Sequence, residues 1–470
     1  MLGKIYQLFP NRQSVIIGLG FFHLVLAIAY FISDSFTGTG FDESVIYFLH
    51  TGVDGFETSG YRYLFISTAL LIVLCLYVCI KLGKSHYLNH PANTSKTLGI
   101  NFALITLLFF QPVFNVLATQ PVYDFVTGKE STSIELKIPG DIKIRRKKNI
   151  VFLYLESFER TFLDETIFPG LAPNLRELEK QGLAFTNIDE AYGTRWTIAG
   201  MVASQCGLPL EPMPFVNRPG TFMPRAVCLS DTLKQNGYIT SYLGGASLRF
   251  GGKGNFYNTH QFDFTQGLKD HQQVLLPDTT PYSEWGLYDE DLFTLAWQEF
   301  TRLTKQAEPF AFFMLTLDTH PPSGFPSSTC GDIRYGSGQE PLLNAFHCSD
   351  RFAGIFIRQL LASESFDDTI IVVASDHLAM NNDIMDRLEQ VPNRRNLFFI
   401  LDKNGRRESV DRHSAPFDIA PTLLSVLGAD VEAYNLGTNM LGDDLTIMER
   451  IQTPNKALRV WSGNLGELFY

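Results

Sequence analysis

The apolar residues of this chain crowd into its first quarter and change their pattern beyond it. Residues 14–33, SVIIGLGFFHLVLAIAYFIS, carry no formally charged side chain. As a helix they reach across a hydrocarbon core of roughly 30 Å. A second run covers residues 63–80. A third, residues 98–118, is also uncharged but carries Asn101, Gln111, Pro112 and Asn115, which predicts a helix packed against neighbours rather than facing lipid all round. The pattern therefore predicts a transmembrane region over 1–118 with three spans and a linker over 119–148. Asp34 and Ser35 follow the first run where a cleavable leader would have a small-x-small site, so this run is expected to remain as an anchor.

From residue 149 the pattern shortens. NIVFLYLE, FAFFMLTLDTH and TIIVVASDH are β-branched and aromatic runs without polar alternation, as expected for strands buried on both faces of a mainly parallel sheet. Between them lie helix-spaced stretches such as APNLRELEKQGL. Alternation of this kind predicts a doubly wound α/β domain over 149–470. Ligands of such sheets bind beyond the carboxyl ends of the strands. Three runs end there in ionisable residues: Glu156, then Asp318 with His320, then Asp376 with His377. Any one alone is explained as a cap or a surface charge; the recurrence points to a site.

Charge orients the apolar part. Lys4 and Arg12 precede the first run and Lys81, Lys84 and Lys96 follow the second, whereas Asp34, Asp42, Glu43, Asp54 and Glu57 face only Arg62 between them. The positive-inside rule places the N-terminus in the cytoplasm, and three spans place everything after about residue 119 outside. Of the six cysteines, Cys75 and Cys79 lie in an apolar run, while Cys206, Cys228, Cys330 and Cys348 form two close-spaced pairs. In an oxidising compartment the simplest of three connectivities joins Cys206 to Cys228 and Cys330 to Cys348. No C-x-x-C spacing supports the rival, a zinc cluster. A formal net charge of −11 argues against a nucleic-acid partner. The basic stretch Lys143–Lys148 reads as a solvated linker more readily than as a lipid-phosphate contact. Residues 41–57 admit two readings, a short interfacial helix or a connector packed on the soluble domain.

Glu156, Asp376 and His377 make a mixed oxygen and nitrogen ligand set that suits manganese or zinc, with magnesium admitted, over calcium. A nucleophile is expected in GTRWTIAGMVASQ, Gly193–Gln205, where a glycine turn leads into a helix. Thr194 is the expected hydroxyl, activated by the metal. On its own it is more simply an N-cap. Thr197, one turn on, is read as a helix-packing residue, while Glu159 and Arg160 admit two readings, a support around the Glu156 ligand or, more common for neighbouring charges, a surface pair.

ESFER, GTRWTIAGMVASQCG, LDTHPP, SDHLAMNN and DIAPTLLSVLG, in that order over roughly residues 149–430, resemble the phosphoglycerol transferase I family, which modifies osmoregulated periplasmic glucans. More distantly the pattern is similar to lipoteichoic acid synthases and lipid A phosphoethanolamine transferases, within the alkaline phosphatase and sulfatase superfamily. The resemblance implies a sulfatase-like fold, an inner-membrane enzyme with a periplasmic catalytic domain, and one divalent metal ion held by Glu156, Thr194, Asp376 and His377. It implies Thr194 as the residue that carries the phosphoglycerol and His320 as proton donor to the leaving group, with Asp318 beside it at the substrate. Lys253 stands where related synthases have an arginine that holds phosphoglycerol, and Arg249 is near enough to share the task. Lysine lacks the bidentate fork of arginine.

The implied partners are phosphatidylglycerol or a related glycerophospholipid as donor, membrane lipid, and a glycan acceptor. The glucan-modifying relatives continue well past the position of Tyr470, which leaves the acceptor open between a glucan and another periplasmic glycan. Phosphoethanolamine transfer to lipid A or glycan, and an inactive membrane scaffold, are the rival expectations.

Overall fold

A computed structural model of the 470-residue chain describes residues 12–52, 62–83, 94–119, 134–212, 217–218, 220–274 and 282–462. It divides into two compact units, Met1–Val45 with Thr58–Glu130, and Ile46–Glu57 with Ser131–Tyr470.

The first unit is helical, with Arg12–Thr37, Arg62–Gly83, Thr94–Leu108 and the short turns Pro112–Phe114 and Asn115–Thr119. His23 Nε2 donates to the Leu104 carbonyl at 2.8 Å, an internal partner for a polar group in an apolar helix. Phe31, Ile66, Leu70, Phe102 and Phe110 are exposed, an apolar surface that water would not favour. The described residues support one or two of the three expected spans. Among the described residues one uninterrupted helix, Val15–Thr37, is long and apolar enough to cross a membrane. The second run lies on a shorter apolar stretch, Arg62–Val78. The third is broken by a 62° bend between Gly99–Leu108 and Pro112–Thr119, and counts as a second span only if the bent pair is taken as one. Pro112 explains the break, since it has no N–H to continue the ladder and disfavours helical backbone at Gln111. The protein is thus membrane-anchored through its N-terminal part. Residues 120–133 of the expected 119–148 linker lie outside the described residues, but its end does not. Arg146 and Lys148 pair with Asp402 at 2.8 and 2.5 Å, so this basic stretch is partly stapled down instead of solvated.

The second unit is built on an eight-stranded sheet. From one edge its strands run Glu408–Val410, Leu183–Phe185, Phe398–Leu401, Thr369–Ser375, Asn149–Leu155, Phe310–Leu315, Ile239–Gly244 and Phe264–Gln266. All neighbours are parallel except those of Phe398–Leu401. Ile150, Phe152 and Tyr154 pack into a core on one face, and Val151, Leu153 and Leu155 into a core on the other. Hence the unbroken apolar run in the sequence: each fully buried side chain contributes about 1.5–3 kcal/mol on either side of the sheet. The expected helix forms over Pro173–Glu179, capped from afar, since Asn174 N and Leu175 N donate to Asp350 at 3.1 and 2.8 Å.

Both expected disulfides are closed, Cys206–Cys228 and Cys330–Cys348. The first joins residues 22 apart, a loop whose closure constrains the unfolded chain by about 3 kcal/mol. Replacing Cys206 and Cys228 together by alanine should therefore lower the thermal midpoint measured by calorimetry; an unchanged midpoint would show that this bond contributes nothing.

Candidate active site

The two central strands bring the site together. Their parallel register pairs Leu155 with Ser375, so the next residues, Glu156 and Asp376, emerge side by side. His377 follows, and the ligand atoms of these three buried residues lie within 4.8 Å of one another. Ser157, in a left-handed turn with φ 56°, ties the pair together: its N–H donates to Asp376 Oδ1 and its hydroxyl to Glu156 Oε1, each at 2.9 Å. His377 Nδ1 donates to the Leu378 carbonyl at 2.7 Å, which leaves Nε2 as the free ring nitrogen. Nε2 lies 3.4 Å from Glu156 Oε1 and 3.3 Å from Asp376 Oδ2. Asp376 Oδ2 is buried and, among the described residues, accepts no hydrogen bond.

The hydroxyl that meets this cluster belongs to Thr197, 3.5 Å from both Glu156 Oε2 and His377 Nε2. Thr197 opens the helix Thr197–Cys206, and Trp196 before it is extended with no capping side chain. The first N–H groups of the helix are thereby left for an anion. Gly200 makes the approach feasible, since a Cβ there would overlap the Asp376 carbonyl oxygen. Thr194, the expected nucleophile and ligand, is placed elsewhere. Its hydroxyl donates to Ala191 O at 2.8 Å and accepts from Ala191 N at 3.0 Å, so it closes a buried turn. The glycine turn is real, with Gly193 at φ 73°, but the helix starts at Thr197, and that start is what faces the ligands.

Burial disfavours the Glu156 carboxylate, yet the hydrogen bond and charge of His377 outweigh it and bring its pKa down to about 2. Burial and the neighbouring Glu156 charge push Asp376 up to about 7. For His377 burial opposes the proton, but Asp376 and Glu156 raise it to about 10. Two buried carboxylates thus hold a proton on the imidazole, a place that a dication competes for. The donor set, the Nδ1–carbonyl bond that fixes the ring and the unsatisfied Asp376 oxygen all fit a divalent metal ion.

Lys253 is 3 % exposed, with Nζ 5.0 Å from the Phe250 ring centre and no ion pair among the described residues. Burial lowers its pKa to about 8 against the pull of Glu156 and Asp376. It starts the helix Lys253–Thr259 after Gly251 and Gly252, both at positive φ. Arg249 lies on the exposed side of this loop and does not share the buried position. His320 packs on Trp285 with ring centres 3.9 Å apart, and its Nδ1 donates to the Pro321 carbonyl at 2.9 Å, freeing Nε2. Burial lowers its pKa, partly offset by the charge of Glu156. Asp318 does not face this cluster. Its carboxylate accepts from Asp289 N at 3.1 Å and Ser327 Oγ at 2.6 Å, a structural clamp.

A model described as "Sulfatase" matches residues 148–429, more than half of the chain. The chain belongs to the sulfatase family. A second model, "Phosphoglycerol transferase I, N-terminal domain", matches residues 5–128. Phosphoglycerol transferase I of Xanthomonas campestris pv. campestris is 35% identical over 445 residues, covering 90% of this chain and 60% of that protein. That of Salmonella choleraesuis is 36% identical over 431 residues, covering 90% and 56%. The chain thus spans little more than half the length of these relatives. Among solved structures, an alkaline phosphatase superfamily protein from Vibrio parahaemolyticus superposes with a TM-score of 0.54 at 27% identity, covering 71% of this chain and 81% of that one. The lipoteichoic acid synthase LtaP from Listeria monocytogenes gives 0.53 at 17% identity, covering 70% and 93%, and shares the fold.

Around this sulfatase-family site Glu159 takes the supporting place, with a partner that lies far away in the chain. Glu159 pairs with Arg394, 235 residues away, and accepts from Ala379 N at 3.1 Å, which buttresses the loop after His377. Arg160 turns instead to Glu179, so the expected Glu159–Arg160 pair does not form. Lys253 yields a pH prediction. With a pKa near 8, it is charged below that pH and loses its charge above it. In a pH profile, kcat/KM for a phosphodiester should fall as pH rises through about 8, and Lys253→Arg should remove that limb. A wild-type profile flat to pH 10, about two units higher, would rule out a role for the lysine charge.

Proposed function

We propose that the protein is a metal-dependent transferase that moves phosphoglycerol from phosphatidylglycerol to a glycan hydroxyl through a covalent intermediate on Thr197. The carrying observation is the Thr197 hydroxyl, 3.5 Å from Glu156 and from His377 and only partly buried, hence reachable. The sequence similarity to phosphoglycerol transferase I over 90% of the chain supports the group transferred. Two disulfides and the charge pattern around the apolar runs support an outward-facing catalytic unit, N-terminus inside, where a membrane donor and a periplasmic acceptor meet.

Glu156, Asp376, His377 and Thr197 would hold the metal. When bound, it supplies positive charge that keeps the Thr197 oxygen ionised and neutralises the phosphoryl oxygens. The rest falls to side chains. Lys253 draws the phosphodiester anion against the start of the Thr197 helix. In the first half-reaction Thr197 Oγ1 bonds to phosphorus, the bond from phosphorus to the diacylglycerol oxygen breaks, and that oxygen takes a proton from His320 Nε2. In the second half the acceptor hydroxyl returns a proton to Nε2 and bonds to phosphorus, and the Thr197 ester breaks. The lowered pKa of His320 suits it to release the proton in one half.

The full chain in detergent, given labelled phosphatidylglycerol, should release diacylglycerol. Thr197→Ala should reduce release by at least about a thousandfold, the scale for losing a covalent nucleophile, while Thr194→Ala should keep a tenth or more, since a lost turn hydroxyl costs roughly 1 kcal/mol. Mass spectrometry of the trapped peptide should find phosphoglycerol on Thr197. An ethanolamine-containing adduct, or turnover that survives Thr197→Ala, would defeat the proposal.

A further inference from the structure

The segment between the first two apolar runs touches both loops that carry the chemistry. Helix Glu43–Thr51 starts at Asp42, whose Oδ1 accepts from Ser44 N and Val45 N at 3.0 and 3.3 Å. From Ile46 onward the segment belongs to the catalytic unit, although it is separated from it in sequence by the second and third apolar runs. Tyr47 has no exposed surface. Its hydroxyl donates to the Gly251 carbonyl at 2.8 Å, and its ring lies 5.6 Å from that of Trp196. Phe48 stacks on Phe250 at 5.3 Å and 17°, and Phe250 meets Trp285 edge-on at 5.4 Å. His50 Nδ1 donates to the Pro212 carbonyl at 2.9 Å.

Each contact is one step from a working group. Trp196 precedes Thr197, Gly251 and Phe250 lead into Lys253, and Trp285 carries His320. The Lys253 loop is intrinsically soft, because Gly251 and Gly252 both sit at positive φ and have no side chains to anchor them. A Cβ at Gly251 would lie 3.3 Å from Ile198, so this loop and the start of the Thr197 helix already approach closely. Tyr47 spans that approach.

We propose that Tyr47 and Phe48, supplied by the segment between the apolar runs, are positioning residues that fix Lys253 and Thr197 relative to each other. The inference rests on the roles assigned above to those two residues. In sequence, five residues separate the Arg12–Thr37 helix from the helix Glu43–Thr51 that carries Tyr47 and Phe48. The positioning role predicts a defect on any substrate, lipid or not.

The test uses the full chain in phosphatidylglycerol nanodiscs and, separately, a water-soluble chromogenic phosphodiester, bis(p-nitrophenyl) phosphate. Tyr47→Phe removes one hydrogen bond and should lower kcat roughly fivefold on both substrates; Tyr47→Ala and Phe48→Ala should lower it further. The distinguishing readout is the kcat/KM pH limb set by Lys253, which should shift in Tyr47→Phe while the thermal midpoint stays near wild type. Should Tyr47→Ala not fold, Tyr47→Phe carries the test alone. A loss on nanodiscs with none on the soluble diester would overturn the inference in favour of simple membrane contact, and so would a loss of rate that follows thermal stability with the pH limb unmoved. Absence of diacylglycerol release by wild type would count against the transferase reading only, because the Tyr47 comparison still reads out on the soluble diester.

Discussion

Placing two carboxylates next to each other inside a protein is costly, and this site begins with that placement. The register that aligns Leu155 with Ser375 leaves Glu156 and Asp376 no choice but to emerge together from the sheet, both buried. Like charges in a medium of low polarity repel strongly unless something positive stands between them. His377 offers a proton, Ser157 offers two donors, and Lys253 contributes charge from the neighbouring loop. Among the described residues Asp376 Oδ2 is left without a hydrogen bond even so. The surrounding architecture follows from this imbalance: a fixed imidazole, an uncapped helix start and a buried ammonium are all ways of making a concentrated negative centre useful to an incoming cation and anion.

Much of this is legible in the amino-acid sequence. Long apolar runs without alternation announce strands covered on both faces, and ionisable residues at three strand ends announce a site, because both follow from local pattern. Glu156, Asp376 and His377 are singled out in that way, and the structure brings their ligand atoms within 4.8 Å of one another; the Cys206–Cys228 and Cys330–Cys348 pairings follow from spacing. The threonine could not. Thr194 and Thr197 are one turn apart, and choosing between them requires knowing at which residue the helix begins, the least reliable quantity in a sequence. The choice turned on whether Arg195 and Trp196 were inside the helix or before it. Asp318 misled for a related reason: a strand-end position does not tell which way the carboxylate turns, and here Asp289 N and Ser327 capture it. Among the described residues one or two helices are long and apolar enough to span, not three: the second run gives the shorter stretch Arg62–Val78, and Pro112 bends the third.

Contacts between residues far apart in the chain lay beyond local reading. Glu159 with Arg394, Tyr47 with Gly251 and Asp350 with the start of the Pro173 helix each satisfy a buried polar group through a partner that no local pattern indicates. Residues 41–57 left two readings open because their composition suits a membrane surface and a protein surface equally. The burial of Tyr47 favours the protein surface.

The absence of a side chain at Gly200 has a consequence for how such an enzyme can change over generations. Where the helix passes the Asp376 carbonyl there is no room for even a methyl group. Loop residues and the exposed rim are free to drift, but this one position fixes how closely the start of the Thr197 helix approaches Asp376 and His377. A lineage that substitutes it must move the whole helix, and the hydroxyl with it. Natural variation should therefore be generous around the site and nearly silent at this glycine.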